Sequence, residues 1–231
     1  MKKLRNPFKS LTAFEWALLT ASLTVVIISF VFSPEKDPLT LAASLIGVTA
    51  LIFVAKGLVF GQILVVIFAL LYGIISCIFS YYGEMITYMF MSAPAAIAAI
   101  ISWLKNPYGK TNEVKIAKLS AKRLILCILA SISVSIIFYF VLGRLGTANL
   151  VVSTLSVATS FFASLLMFLR SPLYAVAYSL NDIVLIVMWV LASIKNPGYI
   201  PMIFCFVMFL LNDLYGFVNW CRMRKKQSKQ M

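Results

Sequence analysis

The chain has 231 residues, of which 62% are hydrophobic, a mean hydropathy of +1.00 and a formal net charge of +13. A soluble domain is only about 45–50% apolar, so this composition excludes an ordinary water-soluble fold. There is no His, and the four Cys (Cys77, Cys127, Cys205, Cys221) are scattered without CxxC spacing, so neither a zinc site nor a disulfide framework is expected, and no cofactor.

The start, Met1-Lys-Lys-Leu-Arg-Asn, has the charged character of a signal peptide. The apolar run from Leu11 to Phe32 is too long for the core of one, and reads as an uncleaved first span. Crossing the hydrocarbon core takes roughly 20 apolar residues. Eight segments qualify, at about 12–32, 39–58, 61–81, 84–104, 121–143, 148–169, 172–194 and 199–221. Turn chemistry separates them: Ser33-Pro34 to Pro38, Gly57 to Gly61, Tyr82-Gly83-Glu84, Asn106-Pro107-Tyr108-Gly109, Gly143 to Gly146, Arg170-Ser171-Pro172 and Lys195-Asn196-Pro197-Gly198.

Charge then orients the spans. With the N-terminus inside, the inside segments hold 17 of the 20 basic residues, and the outside loops hold only Lys36, Arg144 and Lys195. The positive-inside rule selects eight spans with both termini cytoplasmic. It also accounts for the net charge without nucleic acid. The tail Arg222 to Lys229 is placed to meet anionic lipid of the bilayer. Glu35, Asp37 and Glu84 fall in the outside loops on this reading.

Spans 2–4 and 6–8 share an outline: a helix rich in small residues, a very short inside turn, a second helix, an outside turn, and a third helix ending in Trp and basic residues. Trp103-Leu104-Lys105 closes the first set and Trp220-Cys221-Arg222 the second, with Thr49 matching Thr159 at an offset of 110. The fold expected is an all-α polytopic membrane protein of eight transmembrane helices. It divides into helix 1 and its loop (1–38), a three-helix bundle (39–104), a cytoplasmic loop and linker helix (105–147), a second, parallel three-helix bundle (148–222) and a basic tail (223–231). Transporters often place their solute at the midplane between such repeats.

The candidate site comes from a repeated phrase. Asn181-Asp182 lies seven residues before Trp189, and Asn212-Asp213 seven before Trp220, so each Asp shares a helix face with its Trp. A carboxylate near the bilayer centre costs about 2.5–3.5 kcal/mol on insertion scales, which marks both as functional candidates. Tyr178 is one turn from Asp182. The candidate substrate-binding residues are Tyr178, Asn181, Asp182, Trp189, Asn212, Asp213 and Tyr215, with Thr159 and Ser164 of the hydroxyl-rich span 6. The alternative for the two Asp is hydrogen bonding between helices, with Asn181 or Asn212 as donor. Trp220 reads as an interfacial anchor, Lys56 as a snorkelling side chain and Glu15 as an acid at a helix N-terminus. Pro94 is expected to kink span 4, and residues 112–123 to form a solvated amphipathic lead-in to span 5.

The chain resembles the Pnu-type family of bacterial vitamin-precursor transporters, best known for carrying nicotinamide riboside. The resemblance covers essentially the whole chain. It rests on Asn6-Pro7-Phe8-Lys9, Lys56-Gly57, Tyr82-Gly83-Glu84, Trp103-Leu104-Lys105-Asn106, Tyr178 to Asp182, and Asn212-Asp213-Leu-Tyr215-Gly216-Phe217-Val-Asn219-Trp220. It implies a 3+1+3 arrangement like a doubled SWEET-type carrier, a homotrimer, and facilitated diffusion of the substrate with trapping by phosphorylation inside. It also implies that an aromatic residue and an Asn one turn later on span 7 contact the base. Those positions match Tyr178 and Asp182, where Tyr stands for the usual Trp and Asp for the usual Asn. A carboxylate there suits a cation, as nicotinamide riboside and thiamine both are. Thiamine, riboflavin or a deoxynucleoside are the alternative substrates. Two rival classes remain: an intramembrane aspartyl protease, which Asp pairs on neighbouring helices suggest, and a non-transporting binding subunit served by a separate ATPase. The chain itself has no Gly-x4-Gly-Lys-Ser/Thr phosphate loop.

Overall fold

The computed structural model describes residues 6–79, 81–109, 111–147 and 149–229. The charge assignments that rest on Lys2, Lys3, Arg5 and Lys110 lie outside the described residues. Among those described, eight helices are long and apolar enough to span a bilayer. They are span 1 (Ala13–Val31), span 2 (Pro38–Ala55), span 3 (Val59–Ile78), span 4 (Tyr82–Lys105), span 5 (Ala121–Arg144), span 6 (Leu150–Phe168), span 7 (Leu173–Lys195) and span 8 (Ile200–Ser228).

Local chemistry sets the ends. Thr12 and Glu15 form a capping box at the start of span 1. Asp37 accepts from the backbone N–H groups of Leu39 and Thr40, ahead of Pro38 at the first position of span 2. The two very short turns after spans 2 and 6 are built alike. Gly57 (φ +66°) ends span 2, and Arg170 (φ +58°) ends span 6. In each turn the left-handed residue donates back three residues and its successor five: Gly57 to Val54 and Leu58 to Phe53, Arg170 to Met167 and Ser171 to Leu166. Holding Arg170 there costs roughly 1–2 kcal/mol more than a Gly would. Span 4 contains a π-helical turn, Thr87–Ser92, just before Pro94. Pro94 has no N–H to give to the preceding turn, and the wider π turn absorbs the break.

Six spans form a ring in the order 2, 3, 4, 6, 7, 8, closed by contacts of span 4 with span 6 and of span 2 with span 8. Span 1 packs outside the ring on spans 2 and 8, and span 5 packs on span 6 with most of its surface exposed. The two closing contacts carry reciprocal hydrogen bonds. Trp103 donates to the carbonyl of Met167 (3.4 Å) and Ser102 to that of Phe168 (3.0 Å). Trp220 donates to the carbonyl of Val54 (3.0 Å) and Asn219 to that of Ala55 (2.9 Å). The two indoles meet at 5.5 Å between ring centroids. These bonds align Val54 with Met167 and Gly57 with Arg170, an offset of 113. The match of Thr49 with Thr159 is therefore three residues out of register, nearly one turn, which keeps the helix face and misplaces the depth.

Several expectations change here. Trp220 is a fully buried clamp and not an interfacial anchor. Residues 111–120 form no helix, with Val114 and Ile116 buried, because their backbone is held across one end of the ring. Val114 donates to Gly57 (2.9 Å), Lys115 to Asn106 (2.8 Å) and Ala117 to Arg170 (3.1 Å). Gln227 grips the same strand, accepting from Ile116 N–H (2.9 Å) and donating to Val114 (3.0 Å). The helix of span 8 runs on through the basic residues to Ser228. Glu84 lies inside span 4, fully buried, not in a loop.

Candidate functional site

A narrow cavity of about 60 Å³ lies inside the ring, and every ring helix contributes to its wall. Span 7 supplies Tyr178, Asn181 and Asp182, and span 8 supplies Asp213. Opposite them stand Gly47 of span 2, Gln62 and Phe68 of span 3, and Tyr88 of span 4. Sites for small organic molecules run to roughly 300–1,000 Å³, so the ring is contracted around this space and must part to hold a solute.

The two carboxylates are buried together beside this cavity. Asp182 and Asp213 are each 3% exposed and interact directly with one another. Asp182 Oδ2 has no hydrogen-bond partner. Neither Asn181 nor Asn212 donates to them in the bonds of the described residues. Asn181 Oδ1 instead accepts from Thr159 (2.9 Å), and Asn212 donates to Ser22 Oγ (3.1 Å) and the Met208 carbonyl (2.7 Å). Carboxylates in contact repel when both are charged, and a cation between them reverses the sign. Tyr178 is fixed from behind by Ser164, hydroxyl to hydroxyl at 3.0 Å. Thr159 and Ser164 therefore hold the wall in place and do not form it.

Three candidates stand elsewhere. Trp189 is fully buried in an aromatic cluster with Tyr72, its indole N–H donating to Tyr72 Oη at 2.9 Å, with Tyr81 and Tyr199 against its ring. Tyr215 and Asn212 face span 1. Tyr215 donates to Glu15 Oε1 (2.7 Å), which with Oε2 also pairs with Lys56 Nζ (3.1 and 2.9 Å). Glu15 and Lys56 are thus one bond network joining spans 1, 2 and 8, not two isolated end-of-helix charges. Gln62 and Tyr88 stand in the wall and were not among the candidates. Gln62 is 1% exposed with its Nε2 unpartnered, and it was legible as a lone amide in an apolar run. Tyr88 carries no such signal.

The profile of the family described as nicotinamide mononucleotide transporter matches residues 37–222 of this chain. The chain belongs to that family. The nicotinamide mononucleotide transporter family match begins at the cap of span 2 and runs through span 8, so it takes in the whole ring. A relative from Neisseria mucosa, the nicotinamide riboside transporter PnuC, is 29% identical over 98% of this chain and 88% of its own length. The nicotinamide riboside transporter PnuC of Haemophilus influenzae is 24% identical over 92% of each. The crystal structure of the vitamin B3 transporter PnuC superposes with a TM-score of 0.83, at 29% identity, over 94% of each chain. The protein is a multi-pass membrane transporter, and the protease reading of the Asp pair falls away.

Proposed function

We propose that the protein carries nicotinamide riboside, or a close cationic relative, through the ring by facilitated diffusion. The observation that carries this reading is the Asp182–Asp213 pair in the ring's cavity, with an unpartnered carboxylate oxygen beside the Tyr178 ring. Nicotinamide riboside is a flat pyridinium cation bearing a ribose. Its ring suits a place between Tyr178 and Tyr88, and its charge suits the two carboxylates. Gln62 offers an amide to the carboxamide or the ribose. The names of the PnuC relatives support the same substrate.

The two three-helix sets, 39–104 and 148–222, are proposed to rock against one another about the reciprocal Trp103 and Trp220 contacts. The termini are cytoplasmic on this reading, in a bacterial cytoplasmic membrane, and phosphorylation inside traps the product. A homotrimer is part of the proposal. The apolar groove of about 570 Å³ between spans 5 and 6, walled by Ile132, Ile136, Phe140 and Phe162, is the face available to it.

Counterflow in proteoliposomes tests the function. Vesicles loaded with unlabelled nicotinamide riboside should transiently accumulate the labelled compound without ATP or an ion gradient. Accumulation that requires a gradient, or none at all, rejects a uniporter for this substrate.

A further inference from the structure

One buried acid is not used by the central site. Glu84 is the third residue of span 4, is 0% exposed, and has no hydrogen-bond partner on either carboxyl oxygen. Ser156 of the adjoining span 6 approaches it, and the Ser156 hydroxyl is also buried without a partner in hydrogen-bond geometry. Thr87, one turn along span 4, has a second unpartnered buried hydroxyl. An unmet buried polar group costs about 1–3 kcal/mol, and native interiors rarely keep several together. Among the described residues no Lys or Arg pairs with Glu84; the ion pair they contain is Lys56 with Glu15. The groups gathered here are oxygens, which suit a cation or the hydroxyls of a sugar.

The position lies on a line to the cavity. Tyr88 follows Glu84 by one turn of span 4, and the charges of Glu84 and Asp182 both act on its phenol. Tyr88 also lines the central cavity and packs edge-on against Tyr72, with ring centroids 4.3 Å apart. Along span 4 it comes between Glu84 and Ser92, which also lines the cavity. Glu84 sits at the end of the ring opposite Trp103, Trp220 and the strand held by Gln227. It is flanked by the outer ends of spans 4 and 6, the pair whose parting would open it.

We propose that Glu84, with Ser156 and Thr87, forms an outer binding station for the cationic solute, occupied before Tyr88 moves aside and the solute passes to Asp182 and Asp213. The proposal rests on the reading of the solute as a cation. A station on the path, absent from the final complex, alters the rates of binding and release together and leaves the equilibrium alone.

Stopped-flow tryptophan fluorescence of the purified protein with nicotinamide riboside tests it. Glu84→Gln keeps the shape and removes the charge. It is expected to lower the association rate about tenfold or more, to hold Kd within about twofold, and to flatten the fall of the association rate with added salt. Ser156→Ala, a milder change, should slow association in the same direction and serves if Glu84→Gln is not recovered folded. An unchanged association rate overturns the proposal. So does a weakened Kd with the wild-type salt dependence, which marks Glu84 as structural. Wild-type protein that binds no nicotinamide riboside overturns the substrate reading beneath it, and is seen before any variant is made.

Discussion

Asp182 is nearly buried, touches a second carboxylate and still has one oxygen unmet, which is how a side chain looks when its partner is a ligand. Replacing Asp182 by Ala should weaken nicotinamide riboside binding at least tenfold, about 1.4 kcal/mol, as measured by calorimetry. Ser164→Ala removes only the neutral hydrogen bond that holds Tyr178, about 0.5–1.5 kcal/mol, and should weaken binding several-fold with thermal stability little changed. Glu15→Ala should do the opposite. It leaves Lys56 partly buried without its carboxylate, at a cost on the order of 3 kcal/mol, and should lower the melting temperature in detergent while leaving the cavity walls in place. The two Asp were legible in the sequence because a charge inside an apolar run has few cheap explanations. The neighbouring assignments failed for a geometric reason. Asp213 and Tyr215 are two residues apart, about 200° around a helix of 3.6 residues per turn, so they cannot serve one site. Trp189 does share a face with Asp182, but seven residues carry it about 10 Å further along the axis, out of the cavity and into the aromatic cluster around Tyr72.

At the scale of helices, two glycines set how closely spans approach, and they should respond differently to the same methyl group. A Cβ on Gly61 would strike the backbone of span 2, at Val54 N, Phe53 C (2.8 Å) and the Ala50 carbonyl oxygen (2.9 Å). Backbone cannot yield, so Gly61→Ala should force spans 2 and 3 apart and sharply reduce the yield of folded protein. A Cβ on Gly47 would meet ring ends of Phe209 and Phe68 (3.0 Å), which can rotate. Both rings line the cavity, so Gly47→Ala should preserve folding and weaken solute binding, checked by melting temperature and calorimetry on one sample. Helix number and helix ends were legible because apolar length and turn residues are local properties. The π turn in span 4 and the non-helical run at 111–120 were not. The first is relief for Pro94, and the second is held by carbonyls and amides of four separate turns and helices, which no local pattern records.

For the whole molecule, the ring is shut at both ends in this conformation. Tyr72, Tyr88 and Trp189 fill one end, and the clamps of Trp103 and Trp220 with the strand held by Gln227 fill the other. Opening toward the strand must break bonds that run from 113–117 to Gly57 on one side and to Arg170 and Gln227 on the other. The proposed solute site is the cavity between these closures, and on that proposal its two carboxylates select a cation. Equilibrium binding of nicotinamide riboside to the purified protein, beside Asp182→Ala, Tyr178→Ala and Trp189→Phe, bears on that most directly. One saturable site is expected, weakened at least tenfold by Asp182→Ala and by Tyr178→Ala and unchanged within about twofold by Trp189→Phe, which keeps a ring in the cluster around Tyr72. Wild-type affinity in both cavity variants, or no saturable binding by the wild type, would contradict a cation site built on Asp182 and Tyr178.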